Sequence, residues 1–547
     1  MEPIARPELA LLGILGCLVV ACANGANDIA NSVGTSFGAG ALTLRQAIVF
    51  GAVAEFAGAI SLGSFVAKTI AKGVIEPNTF ANDGCQGVLT FAVGMFSILA
   101  GTGSTTLLAT LYGLPISASH GVIGGLVAVG IAAHGVESLG MAPLEATLVA
   151  WVASPLLGCL TSGLIHTLIR STVHETPNPA HRAHALQPVL IAITVTIAAA
   201  FLVVAGPDVL RIHPVSLAVG ASATLGVSVA IIASCVGGGR RRPSGACSSS
   251  RAHFRLEDLA GDSAHDAAAA SAGPGANPNS DCSEGSEADP GGPMGVLAGL
   301  ANLLGCGGGS RRGRRREDDL ILRAREGEGP DDTGNVEGGE RRGGGGSSGG
   351  GGGSGGSSGG DAPHASEEEP FVPLLILSAL TVAFAHGGND LGNSIGPLAA
   401  ILVAISGGDI AAIPEIPMWV LLLGAGGFVV GILLLGERTI TTVGSKITKL
   451  TPSRSFAVQM GTAIAVLSST VLGLAVSTSH CLVGSIIGVG LAAKLRRHDD
   501  SELNVAMLTK IVIGWAATIP LAMVVSVTIF EGMMLFYSDD AICRSQG

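Results

Sequence analysis

Charged and aromatic residues are both scarce in this chain of 547 residues. Asp, Glu, Lys and Arg make up 13% of it, and Phe, Trp and Tyr 4%. A soluble globular chain carries roughly 25% charged residues, so the shortage excludes an ordinary water-facing protein. It also excludes a nucleic-acid binder, which needs a basic face with aromatics set into it. The 10 cysteines run from Cys17 to Cys543 without a CxxC pair. Neither a metal cluster nor a disulfide framework is therefore expected, and the cysteines read as small buried apolar residues. No nucleotide loop and no nucleophile–base pair is visible, so neither an enzyme nor a cofactor is expected. The net charge of −11 says little about partners, because much of it comes from the polar middle and the ends. One Arg precedes the first apolar run and no clear cleavage site follows it. That segment reads as retained rather than as a removed signal, and no Ser- and Arg-rich transit peptide is present.

What the chain has in quantity is apolar sequence. Hydrophobic residues are 48% of it, with a mean hydropathy of +0.55. Several runs reach the roughly 20 residues that cross a bilayer. The fold class is an all-α polytopic membrane protein, and its first partner is the lipid bilayer. A first hydrophobic half covers 1–236 and a second covers 371–535, with a short tail at 536–547. Between the halves, 237–370 is rich in Ser, Gly, Asp, Glu and Arg, and 343–360 is nearly all Gly and Ser. Such a composition cannot bury a core and reads as a long disordered loop. Its patch at 294–304 is apolar but too short to span, and reads as a weak surface helix. Arg240, Arg241 and Arg242 follow the last apolar run of the first half, which places the loop in the cytosol.

One polar word occurs twice. Gly25-Ala26-Asn27-Asp28-Ile29-Ala30-Asn31-Ser32 follows the apolar run 9–23, and Gly387-Gly388-Asn389-Asp390-Leu391-Gly392-Asn393-Ser394 follows 371–385. Each run and its continuation read as one helix broken near the membrane centre. A third break is expected in 87–111, at Gly101 to Thr106. Further anchors recur in the same order. Leu114-Pro115-Ile116-Ser117-Ala118-Ser119-His120 meets Leu474-Ala475-Val476-Ser477-Thr478-Ser479-His480, and Trp151 meets Trp515. Chance likeness between apolar segments would not align the polar residues and the tryptophans as well. The chain is internally duplicated, and repeats of this kind mark transporters. Sequence alone leaves parallel and inverted halves both open.

An Asp in hydrocarbon is costly and usually has a function. On a helix Asp28 and Ser32 share a face, as do Asn27 and Asn31. Carboxylate, amide and hydroxyl oxygens, with carbonyls freed by unwinding at Gly25, suit a dehydrated hard cation. The same word would also serve as polar contact between helices, although a neutral residue would do that more cheaply than Asp. Each Ser-x-Ser-His segment opens a new apolar run, which puts its hydroxyls at a helix N-terminus. Two such termini facing each other would surround an oxyanion with donors; ordinary N-capping is the alternative. His120 and His480 could relay protons or only orient neighbours. Glu55 lies inside an apolar run, and its counterpart falls near Gly427. An anion near Asp28 and Asp390 would be repelled until cations bind there, which couples the two ligands.

The paired words and the paired Ser-x-Ser-His segments resemble the signatures of the inorganic phosphate transporter family. The resemblance covers both hydrophobic halves but not the loop between them. It implies inorganic phosphate as the partner, carried by symport with Na⁺ or H⁺, and an inverted repeat with broken helices and re-entrant hairpins. Asp28 and Asp390 match the family's cation-site aspartates, with Asn31, Asn393, Ser32 and Ser394 as companions. Ser117, Ser119, Ser477, Thr478 and Ser479 match residues associated with phosphate, joined by Asn27 and Asn389. Glu55, Gln459, His120 and His480 are candidates for coupling. Two departures stand out: Ala475 replaces a usual proline, and Gln459 stands where animal members have Glu. They leave the number and identity of the coupled cations open. Another oxyanion such as sulfate or arsenate, or a phosphate sensor signalling through the loop, is the alternative reading. The plasma membrane is the expected location, with an organelle envelope as the second choice. Monomer and homodimer both stay open.

Overall fold

A backbone without water must satisfy its own hydrogen bonds, so the apolar runs fold as helices. The structure, a computed structural model, describes residues 6–206, 210–238, 367–412, 415–446, 451–495 and 505–537. The expected loop, its 294–304 patch, its arginines and most of the 536–547 tail lie outside the described residues. Among the described residues, ten helices are long and apolar enough to cross a membrane. The protein is an integral membrane protein.

In chain order the first half contains α1 (Pro7–Gly38), α2 (Leu44–Lys72), the short α3 (Pro77–Ala81), α4 (Gly84–Leu111), α5 (Ala118–His134), α6 (Met141–Ile169), α7 (Pro179–Ala205) and α8 (Val215–Gly238). The second contains α9 (Phe371–Asp390), α10 (Gly392–Ile405), α11 (Met418–Lys446), α12 (Pro452–Val471), α13 (Thr478–Leu495) and α14 (Val505–Tyr537). Local signals set several ends. Thr43 and Gln46 form a capping box at the start of α2. Gly113 (φ 64°) and Gly473 (φ 70°) adopt the left-handed conformation that lets α4 and α12 turn back into α5 and α13.

Two expectations about breaks need correction. The first polar word does not break its helix, because α1 runs through it to Gly38. In the second half only Leu391 separates α9 from α10, directly after the Asp. The run Gly101 to Thr106 likewise lies inside an uninterrupted α4. A helix surrounded by protein and lipid keeps its hydrogen bonds, and glycine there serves approach rather than unwinding. A Cβ on Gly25 would collide with the backbone of Phe428 in α11, and one on Gly387 with the backbone of Glu55 in α2. Lipid tails are as apolar as leucine, so close packing of small residues has to hold such helices together.

The packing crosses between the halves. α1 lies against α11, α9 against α2, α6 against α13, and α5 against α14. Both hydrophobic halves thus belong to one compact unit. At one end of it Gln86 donates to Tyr537 O at 3.0 Å, His134 Nε2 lies 3.5 Å from Asp83, and Arg6 lies 5.9 Å from the Tyr537 ring. These contacts gather the starts of α1 and α4 with the ends of α5 and α14. Gly140, just before α6, bonds Val74 at this end too, at 3.0 Å. α6 then crosses the molecule. Beyond its far end His174 Nδ1 lies 3.4 Å from Glu367, and Ser453 Oγ donates to Glu368 at 2.8 Å. The starts of α9 and α12 therefore sit at the opposite end from the starts of α1 and α4. The outer helices show apolar side chains to the surroundings, Leu160 at 71% and Leu164 at 70% exposure, as lipid permits and water does not.

The cysteines depart in part from the expectation of buried residues outside any disulfide, since Cys235 is exposed. Cys85, in the first turn of α4, is disulfide-bonded. Cys17 and Cys481 are free and buried, as read from the sequence.

Candidate functional site

The two words occupy the buried middles of α1 and α9–α10. Residues 23–36 of α1 and 385–401 around Leu391 are all buried. Each word's first Asn grips the hairpin of its own half. Asn27 Nδ2 donates to Thr110 Oγ1 at 3.1 Å and Leu114 O at 3.0 Å; Asn389 Nδ2 donates to Thr470 Oγ1 at 3.0 Å and Leu474 O at 3.1 Å. Each word's second Asn reaches across to the other half. Asn31 Nδ2 donates to Ser479 Oγ at 2.9 Å, and Asn393 Nδ2 donates to Ser119 Oγ at 3.1 Å. The alternation follows from helical spacing, since residues four apart lie one turn on along the same face.

Charge concentrates around a residue that the sequence reading passed over. His386 Nε2 lies 2.8 Å from Asp390 Oδ2 and 3.8 Å from Asp28 Oδ2, while its Nδ1 lies 3.0 Å from Glu55 Oε1. All four side chains are at most 3% exposed. The aligned position in the first half is Asn24, so a search for matched pairs missed it. The available signal was an imidazole four residues before Asp390, on the same helical face. Glu55 comes from α2 because α2 and α9 cross at glycine contacts. Ser32 Oγ donates to Glu55 Oε1 at 3.4 Å, which ties α1 to the cluster.

The hydroxyls divide. Ser119 Oγ lies 3.4 Å from Asp390 Oδ1, and Thr478 Oγ1 lies 3.5 Å from Asp390 Oδ2. Asn31 donates to Asp28 Oδ1 at 3.0 Å. Ser117 and Ser477 cap their helices, the alternative reading of these hydroxyls, accepting from the amides of His120 at 3.3 Å and His480 at 3.4 Å. Ser394 instead donates to Leu391 O at 2.9 Å, at the break between α9 and α10. Gln459 also lies apart from the carboxylates, donating to Ser32 O at 2.9 Å and to Thr35 Oγ1. The two hairpin N-termini meet, with the rings of His120 and His480 4.5 Å apart between centroids. Trp151 and Trp515 flank those rings at 3.9 Å and 3.6 Å.

The donor set fits a cation. Asp28, His386 and Asp390 each offer one ligand atom, all within 4.8 Å of one another. Asn393 Oδ1 is a buried acceptor without a protein partner, the kind of neutral oxygen a hard cation accepts. Three carboxylates face one imidazole, so with all three ionised the cluster would carry net negative charge even beside a protonated His386. Buried charge of one sign is costly, and a bound cation or proton relieves it.

The chain matches the phosphate transporter family over residues 24–526. It is 31% identical to a chloroplastic inorganic phosphate transporter 2-1 of Arabidopsis thaliana, covering 92% of this chain and 68% of that one. A Pyrococcus abyssi protein named as a putative phosphate permease is 28% identical, covering 96% of this chain and 98% of its own. Among solved structures, a sodium-dependent phosphate transporter superposes with a TM-score of 0.65 at 26% identity, over 96% of this chain and 99% of that one.

Proposed function

Because this chain belongs to the phosphate transporter family, we propose that it carries inorganic phosphate across its membrane by symport with Na⁺, H⁺ being the alternative driving ion. One observation carries the reading: Asp28 and Asp390, 362 residues apart in sequence, meet with Glu55 around His386 beside the joined hairpin tips. Their negative charge would repel a phosphate arriving at Ser117, Ser119, Ser477, Thr478 and Ser479. Cations bound at the carboxylates reverse that field, so each ligand raises the other's affinity by the same factor. In this reading Asn27 and Asn389 position the hairpins and come within reach of phosphate from there, while Asn31 and Asn393 link cation site to anion site. The opposite entry ends of the two hairpins support an inverted repeat, in which the halves exchange roles to open the site to either face. The plasma membrane is the proposed location.

The test is phosphate uptake into proteoliposomes holding the full chain, first under an inward Na⁺ gradient and then under a pH gradient. Uptake driven by one of them supports symport. Downhill phosphate flux indifferent to both gradients would reject coupling, and absence of any flux would reject the transport reading.

A further inference from the structure

Each half carries the same gripping set at matched positions: Asn27 and Asn389, Ser119 and Ser479, Trp151 and Trp515. The hairpin tips 114–116 and 474–476 are nevertheless held differently. The first tip is held within its own half. Asn27 donates to it through Nδ2, and Asn27 Oδ1 accepts from the Ile116 amide at 3.1 Å. The second tip has only the donor part of that grip, because Asn389 Oδ1 is buried without a partner. Its other two carbonyls are taken by the first half. Ser119 Oγ donates to Val476 O at 3.0 Å, and Trp151 Nε1 donates to Ala475 O at 3.0 Å.

The mirror-image bonds are absent. Trp515 is 8% exposed, and its Nε1 has no acceptor. Ser479 Oγ accepts from Asn31 rather than donating to the first tip. Yet the acceptor matching Ala475 O is close by: a Cβ on Gly514, next to Trp515, would stand 3.9 Å from Pro115 O. Two buried polar atoms, Trp515 Nε1 and Asn389 Oδ1, therefore stand idle where exchange of roles between the halves would use them. A buried polar group without a partner is expensive, so such a pair needs an explanation.

We propose that Trp151 and Trp515 are positioning residues that latch the two hairpin tips in turn. In the arrangement described here Trp151 holds the second tip. In the opposite arrangement Trp515 Nε1 takes Pro115 O, Trp151 releases Ala475 O, and Asn389 Oδ1 accepts from the Val476 amide. Asn27 Oδ1 then gives up the Ile116 amide. Bonds lost on one side are regained on the other, so the two arrangements lie close in free energy, as interconversion requires. The ring stack Trp151–His120–His480–Trp515 joins the latches, with each His one residue from its hairpin Ser. The proposal rests on the transport reading only in taking the two arrangements as the ends of a transport cycle.

The test is residue-resolved hydrogen exchange of the full chain in lipid nanodiscs, read at the Ile116 amide, which is protected only in the present arrangement. Trp151→Phe keeps a ring and removes the working donor. It should speed exchange about fivefold, the worth of one net hydrogen bond. Trp515→Phe removes the idle donor and should slow exchange by about the same factor, and the double variant should return near wild type. The Trp→Leu pair, which also lacks a donor, must give the same signs, which keeps the test decisive should a Phe variant not fold. Two variants that both speed exchange would mean that the tryptophans only support the fold, and the proposal would fall; so would exchange that neither variant changes. Exchange needs no transport, so its outcome is separable from that of the uptake experiment.

Discussion

Adding one carbon at Gly387 should dismantle the charged cluster from behind. A Cβ there collides with the backbone carbonyl of Glu55, and at the neighbouring crossing a Cβ on Gly58 would collide with the carbonyl of Phe384. Backbone cannot swing aside as a side-chain tip can. The helices α2 and α9 must therefore separate by roughly 1 Å or more to reach an ordinary contact of about 3.5 Å. That shift stretches the 3.0 Å approach of His386 Nδ1 to Glu55 Oε1. Overpacking costs about 1–3 kcal/mol, and the upper end applies here because the obstruction is rigid. Gly220→Ala is the control: an added Cβ on that exposed α8 glycine meets nothing within 4 Å. There alanine gains about 1 kcal/mol of helix propensity. The assay is thermal unfolding of the purified protein in detergent, with phosphate uptake measured in parallel. Gly387→Ala should unfold earlier and lose most uptake while Gly220→Ala does neither. A Gly387→Ala variant as stable and as active as wild type would show that the crossing does not set the cluster's geometry.

Other consequences follow from the same contacts. His386→Gln leaves Asp28, Glu55 and Asp390 without their basic neighbour, so added Na⁺ should raise its thermal stability more than that of wild type. A site at 100 times its Kd contributes about 2.7 kcal/mol, and a melting temperature insensitive to Na⁺ would count against a cation there. Asn27→Ala removes three hydrogen bonds and Asn389→Ala two. At about 1 kcal/mol per bond, Asn27→Ala should be the less stable variant in chemical unfolding, and equal losses would contradict the difference between the tips. Thr43→Ala breaks an exposed capping box far from the cluster. It should cost about 1 kcal/mol and leave the phosphate KM unchanged in uptake kinetics.

Much of this arrangement was readable before any coordinates. The duplicated words, the paired hairpins and their capping serines are patterns of polar residues set in apolar sequence, and polarity at such places is too costly to be idle. The error about a broken α1 came from treating Gly25 as a hinge. Glycine's weak helix propensity is a local property, whereas its use against the Phe428 backbone is a tertiary one. His386 was missed for the opposite reason: it breaks the repeat, pairing with Asn24 in alignment and with Glu55 in space. That each second Asn serves the other half's hairpin is likewise invisible in a linear chain, because it depends on α1 meeting α13 and α10 meeting α5. Gln459 reads as a coupling residue by depth; its Nε2 donates to Ser32 and Thr35, which no linear pattern shows, while its Oε1 is buried without a partner.

The central claim is that positive charge at the carboxylates makes room for the anion. Its most direct test is equilibrium binding of radiolabelled phosphate to the purified full chain, with Na⁺ or proton concentration varied against an inert cation. Affinity should rise with one of those cations in wild type, and Asp28→Asn should lose the dependence while remaining folded. Phosphate bound equally tightly whatever the cation, in wild type and Asp28→Asn alike, would contradict the account.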